Sequence, residues 1–376
     1  MAVGGPAGLP ADAAAIARQF GIAGDVLGAE PHGSGHINAS YRVRCQSASG
    51  LHGYLLQRIN TAVFADVPAL MENIERVTAH LAGKLQGHGD ADRRVLTLVR
   101  SQEGASWVQR ENATCWRMFH FIDDAVTYDR VESVEQARQA ARAFGEFQRQ
   151  LAALPAPPLH ATIPGFHDTP ARFRAFQQAV EADVVHRAAA CQPEIDFLLE
   201  REDLAGALLR ANLPERVTHN DTKLNNVLFD IARGEPLCVV DLDTVMPGLA
   251  LYDFGDMVRT ATCPAAEDEQ DLEQVDMHLP LYQALLEGYA QGTGGLLTAT
   301  EQGHVPTAGP VITYEQALRF LADHLAGDVY YKTSRPSHNL DRCRTQIKLL
   351  QSMERQAEAM GLLANEVFQS GSDVAV

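Results

Sequence analysis

The residues with the clearest chemical pattern lie in the segment VTHNDTKLNNVLFD, residues 217–230, where polar side chains crowd between short β-like runs. Loops of this kind often carry catalytic groups. The pattern H-x-D-x-K-x-x-N fixes the order of four of them: His219, Asp221, Lys223 and Asn226. Phosphoryl transfer requires a carboxylate that accepts the hydroxyl proton, an amide oxygen that helps to hold magnesium, and a cation that offsets the charge of the moving phosphoryl group. The segment therefore predicts a phosphoryl-transfer site.

A second carboxylate follows about fifteen residues later, where Asp241 ends the apolar run LCVV. There it could bind a metal ion that bridges the phosphates of a nucleotide. The same stretch, D-x-D-T-V, also resembles the opening motif of haloacid-dehalogenase-type phosphatases, in which Asp241 would be the nucleophile and Asp243 the acid/base. That motif normally starts its domain, whereas here it directly follows a kinase-like loop. We therefore expect a kinase rather than a phosphatase.

These loops need elements that position them, and the first third of the chain predicts a sheet with one inserted helix. Strand patterns occur in four stretches: about 28–60, 95–99, 105–109 and 114–122. The inserted helix has Pro68 in its first turn and Gly83 as its predicted stop. A further short helix is expected at residues 11–20.

Helical patterns dominate the rest of the chain. Capping boxes predict two helix starts, one at Ser133 with Gln136 and one at Thr313 with Gln316. The tail from Asn339 to about residue 363 is predicted to form one long amphipathic helix.

The expected fold class is α+β, with a β-rich N-terminal lobe and a mostly α-helical C-terminal lobe. We place the N-terminal lobe, with the nucleotide site, at residues 1–122. The C-terminal lobe, with the catalytic loop and the acceptor site, takes residues 123–376. A hinge is expected near residues 121–127.

The amino-acid composition limits the classes of binding partner that we expect. The 376 residues are 46% hydrophobic and 21% charged, which indicates a globular protein rather than a disordered one. The net charge of −17 repels nucleic acid and anionic membranes, so we expect neither as a partner. No apolar run is long enough for a membrane span, the N-terminus does not resemble a signal peptide, and the cysteines lie far apart. These features favour a cytoplasmic protein with reduced thiols that acts on a small molecule.

The catalytic pattern and the strand-terminal aspartate together resemble those of the protein-kinase-like small-molecule kinases, the aminoglycoside phosphotransferase superfamily. Within it the chain is most similar to N-acetylhexosamine 1-kinases, in these segments: GSGHINASYRV (33–43), LLQRIN (55–60), LMENIERVT (70–78), HNDTKLNNVLFD (219–230), VVDLDTVMPG (239–248) and RFLADHLAGDVYYK (319–332). The resemblance implies a bilobal fold, the cofactors ATP and Mg²⁺, and phosphorylation of the anomeric hydroxyl of an N-acetylhexosamine or a related sugar. Choline, homoserine and aminoglycosides are alternative acceptors in related folds.

The resemblance also assigns roles to the catalytic residues. Asp221 would be the catalytic base, and Lys223 would contact the transferred phosphate. Asn226 and Asp241 would bind magnesium. His219 is expected to pack and to hydrogen-bond backbone.

Three further aspartates have less specific expectations. Asp243 would be either a second metal contact or a structural hydrogen-bonding group. Asp253 and Asp256, in the segment LYDFGD, are expected to cap a helix or to brace the loop.

The residues expected to bind the nucleotide depart from the family pattern in one respect. A glycine loop, formed by Gly33, Ser34 and Gly35, would let backbone N–H groups approach phosphates. The usual strand lysine is missing, and either Gln57 or Arg58 would replace it; strand alternation allows only one of them to face the nucleotide. Glu72 would pair with Arg58 or lie in solvent. The missing lysine leaves open a pseudokinase that binds ligand without turnover.

For the acceptor sugar, the resemblance implies three contacts: His36, Arg319 and Tyr330. Arginine and tyrosine offer the donors, acceptors and apolar surface that a polyol needs. Their structural alternatives are a salt bridge from Arg319 to Asp323 and a packed tyrosine.

Overall fold

The computed structural model describes residues 13–33, 37–87 and 89–370. Its N-terminal part is built on a five-stranded antiparallel sheet with the strand order β1-β2-β3-β5-β4. The strands are β1 (Asp25–Pro31), β2 (Ala39–Ser47), β3 (Gly50–Ile59), β4 (Trp107–Gln109) and β5 (Cys115–His120). A short helix, α1 (Ala13–Ala17), packs near one face.

Strand alternation divides the side chains of the sheet between two faces. Tyr54 and Leu56 of β3 pack with α1 on one face, whereas Leu55 and Ile59 pack on the other face against the next helix, α2 (Val67–Lys84). Asp66 caps that helix by accepting the N–H of Ala69 at 3.0 Å. The helix continues one residue past the predicted stop at Gly83.

One predicted strand is wrong. Residues 95–99 follow another short helix, α3 (Ala91–Arg94), and form only an isolated bridge, between Leu98 and Phe119. The N–H of Val99 does donate to the carbonyl of Met118 at 2.8 Å, so the segment runs beside β5 without joining the sheet as a regular strand.

Short strands frame the polar segments that the sequence singled out. A three-stranded antiparallel sheet joins β6 (Ala125–Val126), β8 (Val227–Asp230) and β9 (Pro236–Val239). A two-stranded ladder pairs β7 (Glu215–Thr218) with β10 (Met246–Leu249). The predicted catalytic loop therefore leaves β7 and enters β8, and the D-x-D segment lies between β9 and β10.

Helices form the rest of the described chain. They are α4 (Val134–Leu151), α5 (Thr169–Ala182), α6 (Gln192–Leu199), α7 (Glu202–Ala205), α8 (Ala207–Arg210), α9 (Ala250–Ala261), α10 (Leu279–Thr293), α11 (Ala299–Leu325), α12 (His338–Arg355) and α13 (Ala357–Ser370). The predicted α+β architecture, β-rich first and mostly helical afterwards, is confirmed. Within the described ranges, no helix has the length and apolar character to cross a bilayer.

Two helix predictions were wrong. Thr313 does not start a helix, because it is fully buried inside α11, whose capping box is Thr298 with Glu301. The predicted single tail helix is two helices, which meet at Gln356. The side chain of Gln356 donates to the carbonyl of Met277 at 2.9 Å, which fixes the chain at the break.

An apolar cluster joins the first part of the chain to the second. The helix α2 packs with Phe119 of β5, but also with Phe147 of α4 and with Leu242 and Val245 beside the D-x-D segment. Packing is therefore continuous across residue 122.

The helices α4 and α10 approach closely through glycine. A Cβ on Gly288 would lie 2.0 Å from the carbonyl oxygen of Arg138.

We expect Gly288→Ala to lower the free energy of unfolding by about 1–3 kcal/mol, because the backbones of the two helices must separate. Urea denaturation measures this. Gly303→Ala is the control: Gly303 is exposed in α11 with open space around it, and alanine there should be neutral or stabilise by up to ~1 kcal/mol. Equal effects of the two substitutions would contradict the close approach.

Candidate active site

Asp253 holds the loop that follows β7 in place. It lies in the first turns of α9, is fully buried, and accepts the backbone N–H groups of His219 at 3.0 Å and Asn220 at 2.7 Å. Its carbonyl accepts the hydroxyl of Thr222 at 2.6 Å. The prediction that Asp253 braces the loop is confirmed, because its three partners lie on both sides of residue 221.

His219 is also structural, as predicted. Its Nε2 donates to the carbonyl of Val240 at 2.9 Å, and its Nδ1 accepts the N–H of Asp221 at 3.3 Å, so the ring carries its proton on Nε2. The rings of Phe144 and Phe147 pack edge-on against it. The histidine thus joins the loop to the end of β9 and to α4.

Asp221 lies in the part of the loop that Asp253 and His219 hold in place. Lys223 Nζ lies 2.8 Å from its Oδ1, and the side-chain N–H of Asn226 donates to the Asp221 carbonyl at 2.7 Å. Desolvation alone would raise the pKa of Asp221, but the charge of Lys223 outweighs it and holds the pKa below its usual range. Asp221 in turn raises the pKa of Lys223. The pair is therefore a carboxylate beside an ammonium.

Asp241 lies on the other loop, close enough to Asp221 for that carboxylate to affect its pKa, and we call the space around these two side chains the cleft. Its backbone is left-handed, with φ 59°. Although water reaches the side chain, the surrounding walls of the cleft desolvate it, and this effect together with the carboxylates of Asp243 and Asp221 raises its pKa to about 6. The cleft thus holds an excess of negative charge that a divalent cation would offset.

The donor atoms suit magnesium. The amide nitrogen of Asn226 is committed to Asp221, so the Asn226 amide oxygen and the Asp241 carboxylate are the candidate metal-binding atoms. Mg²⁺ uses one or two carboxylates and completes its coordination with water and phosphate oxygens. Between residues 13 and 370, as far as the chain is described, no cluster of three or more His, Cys, Asp or Glu side chains forms an all-protein metal cage.

Asp243 is not a free metal ligand. Its Oδ1 forms an ion pair with Arg117 Nη1 from β5, and its Oδ2 accepts the amide N–H of Asn38 at 2.6 Å. The Arg117 and Asp243 side chains are only 2% and 3% exposed. Of the two roles expected for Asp243, the structure favours the hydrogen-bonded one.

Gln57, rather than Arg58, faces this ion pair. Arg117 lies directly opposite Gln57 in the sheet, and Arg117 Nε donates to Gln57 Oε1 at 2.9 Å. Arg58, one residue later, is exposed and turned away by strand alternation. The buried cation on this face of the sheet therefore comes from β5.

Glu72 does not pair with Arg58; of its two expected placements, the exposed one is borne out. Its Oε2 lies 2.9 Å from His160 Nε2, and its side chain is 52% exposed. In the predicted glycine loop, Gly33 follows β1 with φ 77° and open space around it. Ser34, Gly35 and His36 lie outside the described residues.

Arg319 lies in α11, where the charges of Glu315 and Arg259 reach it. Its guanidinium is near the rings of Phe166, at 5.8 Å, and Tyr331, at 5.6 Å, and donates to Gln316 at 3.1 Å. The structural alternative, a salt bridge from Arg319 to Asp323, does not form. Asp323 instead accepts backbone N–H groups of residues 329–331.

Tyr330, the other predicted acceptor contact, is 58% exposed, so the packed alternative for it does not hold. Its ring contacts Tyr331 edge-on at 4.8 Å. The neighbour Tyr331 was missed by the sequence reasoning, although it lies next to the predicted residue and beside Arg319. Aromatic surface is therefore provided by both tyrosines.

Arg259 was also missed. This buried residue of α9 pairs with Asp256 at 2.8 Å and with Glu267 at 2.9 Å. It lies near enough to both Asp221 and Arg319 for its charge to affect the pKa of each. Asp256, predicted to cap a helix or to brace the loop, instead neutralises an arginine whose charge reaches both Asp221 and Arg319.

The comparisons with known proteins agree with this geometry. The family model described as "Phosphotransferase enzyme family" matches residues 28–289. An aminoglycoside phosphotransferase from Alicyclobacillus acidocaldarius is 14% identical with a TM-score of 0.60, over 98% of this chain and 99% of that one.

Two further solved structures have a similar fold. A spectinomycin phosphotransferase, in complex with ADP and spectinomycin, is 12% identical with a TM-score of 0.56, over 89% of this chain and 94% of that one. A microcompartment-associated aminopropanol kinase is 16% identical with a TM-score of 0.55, over 93% and 98%. At these identities the likeness is one of fold.

Proposed function

Because the chain belongs to the phosphotransferase enzyme family, we propose that it is an ATP-dependent small-molecule kinase that phosphorylates a hydroxyl group. The observation that carries the proposal is the arrangement around Asp221. A carboxylate with Lys223 at 2.8 Å shares one cleft with Asp241, close enough for its charge to raise the pKa of Asp241. The ADP bound in the spectinomycin phosphotransferase supports a nucleotide as donor.

Within this proposal Asp221 orients the acceptor hydroxyl and takes its proton. Since its ionised form is favoured by Lys223, it is ready to accept a proton at neutral pH. Lys223 offsets charge on the transferred phosphoryl group. Catalysis is then mostly positioning and electrostatic stabilisation.

Asn226 and Asp241 would hold Mg²⁺. When bound, the ion would neutralise phosphate charge and orient the donor. The nucleotide would lie against the N-terminal sheet, within the lobe that we assign to residues 1–122. There Gly33, Ser34 and Gly35 would provide the phosphate loop, and Gln57 would face the same cleft.

For the acceptor we propose an N-acetylhexosamine or a related neutral sugar, phosphorylated at the anomeric hydroxyl. Charge supports this choice over choline, an amino alcohol or an aminoglycoside. Arg319 takes part in none of the ion pairs among residues 13–33, 37–87 and 89–370, and Arg259 already neutralises Asp256 and Glu267. A cationic acceptor would be repelled by the charge of Arg319, which no ion pair among the described residues offsets. Tyr330 and the loop residue His36 would complete the sugar site.

An ATP-consumption screen tests the function and the acceptor together. The acceptors are GlcNAc, GalNAc, glucose, choline, homoserine and kanamycin, each with Mg-ATP. We expect ADP and a sugar 1-phosphate from GlcNAc or GalNAc and little ATP consumption without acceptor. Turnover of choline or kanamycin alone would reject the sugar assignment. Mg-ATP binding in a thermal-shift scan without any turnover would instead identify a pseudokinase.

The phosphatase alternative loses its acid/base. In that mechanism Asp243 must exchange protons with the leaving group, but here it is buried in the ion pair with Arg117. Release of phosphate from a phosphomonoester without nucleotide, abolished by Asp241→Asn, would restore that alternative.

Arg319→Ala tests the acceptor site. Loss of a charged donor should raise the acceptor KM by about 10- to 100-fold, with the ATP KM unchanged, because the guanidinium lies on the acceptor side of Asp221. Steady-state kinetics with each substrate varied in turn measure this. Arg201→Ala is the control, since Arg201 also lies over an aromatic ring, Phe197, but pairs with Glu354. A higher ATP KM with an unchanged acceptor KM would show that Arg319 contributes to nucleotide binding and not to acceptor binding.

A further inference from the structure

A buried histidine outside the catalytic motif contacts the catalytic loop. His167 precedes α5, and its side chain is 6% exposed. Its Nδ1 lies 2.9 Å from Glu315 Oε1 in α11, and its Nε2 lies 3.1 Å from the backbone carbonyl oxygen of Asn220. Glu315 Oε2 accepts the hydroxyl of Thr169 at 2.7 Å. The carboxylate is thus held from two sides and fixes the ring.

The two partners of His167 determine its protonation. A backbone carbonyl can only accept a hydrogen bond, and an ionised carboxylate can only accept as well. Both ring nitrogens of His167 must therefore carry protons, which makes the ring an imidazolium. His219 differs, because its Nδ1 accepts an N–H and its Nε2 donates. The loop is thus flanked by one charged and one neutral histidine.

These two histidines hold opposite sides of one peptide unit. His167 binds the carbonyl of Asn220, and His219 binds the N–H of Asp221, which belongs to the same peptide group. Asn220 has a left-handed backbone, with φ 65°, which is unfavourable for a residue with a side chain. The orientation of this peptide plane sets the direction in which the Asp221 side chain leaves the loop.

We propose that His167, protonated and held by Glu315, is a positioning residue that fixes the Asn220–Asp221 peptide and thereby aims the Asp221 carboxylate. The proposal rests on the proposed kinase function for its kinetic consequence, but its structural consequence is independent of turnover. Neither His167 nor Glu315 belongs to the H-x-D-x-K-x-x-N pattern.

The charged surroundings of His167 determine its pH response. Glu315 faces it from α11, and Asp256 and Tyr252 face it from α9, with Arg319 beyond Glu315. Burial alone would lower the pKa of His167, but the Glu315 charge and hydrogen bond and the Asp256 charge outweigh burial, so the pKa is raised. A raised histidine pKa gives an interaction that is present at lower pH and is lost as the pH rises through that pKa.

Three variants test the proposal. His167→Leu removes both hydrogen bonds, and we expect kcat to fall on the order of 10²-fold while both KM values change little, because the reacting groups are misaligned. His167→Gln keeps one neutral donor for the Asn220 carbonyl and should recover most of kcat. Because glutamine does not titrate, the decline in kcat that deprotonation of His167 causes at alkaline pH in the wild type should be absent in this variant. The control is His324→Leu, a buried histidine that contacts Arg187 and Asp328.

Hydrogen exchange separates this inference from the function. Amides of the loop 217–226 should exchange faster in His167→Leu than in His324→Leu at equal global stability. If the wild type is an active kinase and His167→Leu keeps its kcat, the inference is overturned and the function stands. If no acceptor is phosphorylated but loop exchange rises only in His167→Leu, the function fails and the inference stands. Should the leucine variant not fold, an unchanged alkaline pH profile in His167→Gln overturns the inference and a lost one supports it.

Discussion

Asp221→Asn should lower kcat by about 10²- to 10⁴-fold while the protein remains folded. Asparagine has nearly the same size, so the contacts of the loop backbone with Asp253 and His219 can persist. The amide, however, cannot accept the hydroxyl proton, and Lys223 loses the carboxylate at 2.8 Å. The measurement is kcat with the acceptor identified in the screen, with thermal denaturation to confirm folding.

Asp230→Asn provides a matched control for this experiment. Asp230 belongs to the same polar segment but pairs with Arg93 at 2.8 Å and accepts the N–H groups of Ala232 and Arg233. Its replacement should leave kcat nearly unchanged. Turnover of Asp221→Asn within tenfold of the wild type would reject Asp221 as the base.

The second large effect concerns stability. Arg117→Met should lower the free energy of unfolding by about 3–5 kcal/mol, because it leaves the Asp243 carboxylate buried without its cation. The double variant Arg117→Met with Asp243→Asn should recover much of the loss, since no unpaired charge remains and asparagine can still accept from Asn38. Chemical denaturation of the wild type, the single variants Arg117→Met and Asp243→Asn, and the double variant gives the coupling energy directly.

An exposed ion pair gives the comparison. Arg201 pairs with Glu354 at 2.7 Å near the surface, so Arg201→Met should cost at most about 1 kcal/mol through charge. A loss for Arg117→Met no larger than this, or a double variant that is as unstable as the single one, would show that the buried pair is not the source of the stability.

The catalytic loop could be predicted from the sequence because its residues are local. The four polar residues from His219 to Asn226 lie within eight positions of the sequence, so their pattern is visible without the fold. Asp241 was recognisable because it is a charged residue at the end of an apolar strand. The α+β division followed from the change between strand and helix periodicity. These features need no knowledge of which distant segments meet.

The partners of the site were not predictable in the same way. Arg117 and Asp243 are 126 positions apart, and their pairing depends on how β5 faces the loop after β9. One signal was available: Arg117 is a charged residue inside the apolar strand TCWRMFHFI, and a buried arginine needs a partner. His167 gave no comparable signal, because nothing near it in the sequence indicates Asn220 or Glu315.

The pair of Glu72 with Arg58, one of the two placements that the sequence left open, does not form for a related reason. The prediction assumed that α2 presents this residue to β3, whereas its carboxylate reaches His160, in the segment after α4. The helix start at Thr313 failed because the true box, Thr298 with Glu301, opens a helix that runs through Pro306 and Pro310. Tertiary packing decided the first outcome, whereas the second was decided by a local capping box that the sequence reasoning overlooked.

The shared apolar cluster around α2 has a consequence for synthesis on the ribosome. The apolar face of α2 needs Phe147, Leu242 and Val245 as well as the N-terminal sheet. When residue 122 has emerged, about 123 residues remain before Val245 follows, which takes roughly 6 to 25 s at typical translation rates. During that interval the nascent N-terminal third exposes part of its core, so we expect chaperones to bind it until the chain beyond β9 arrives.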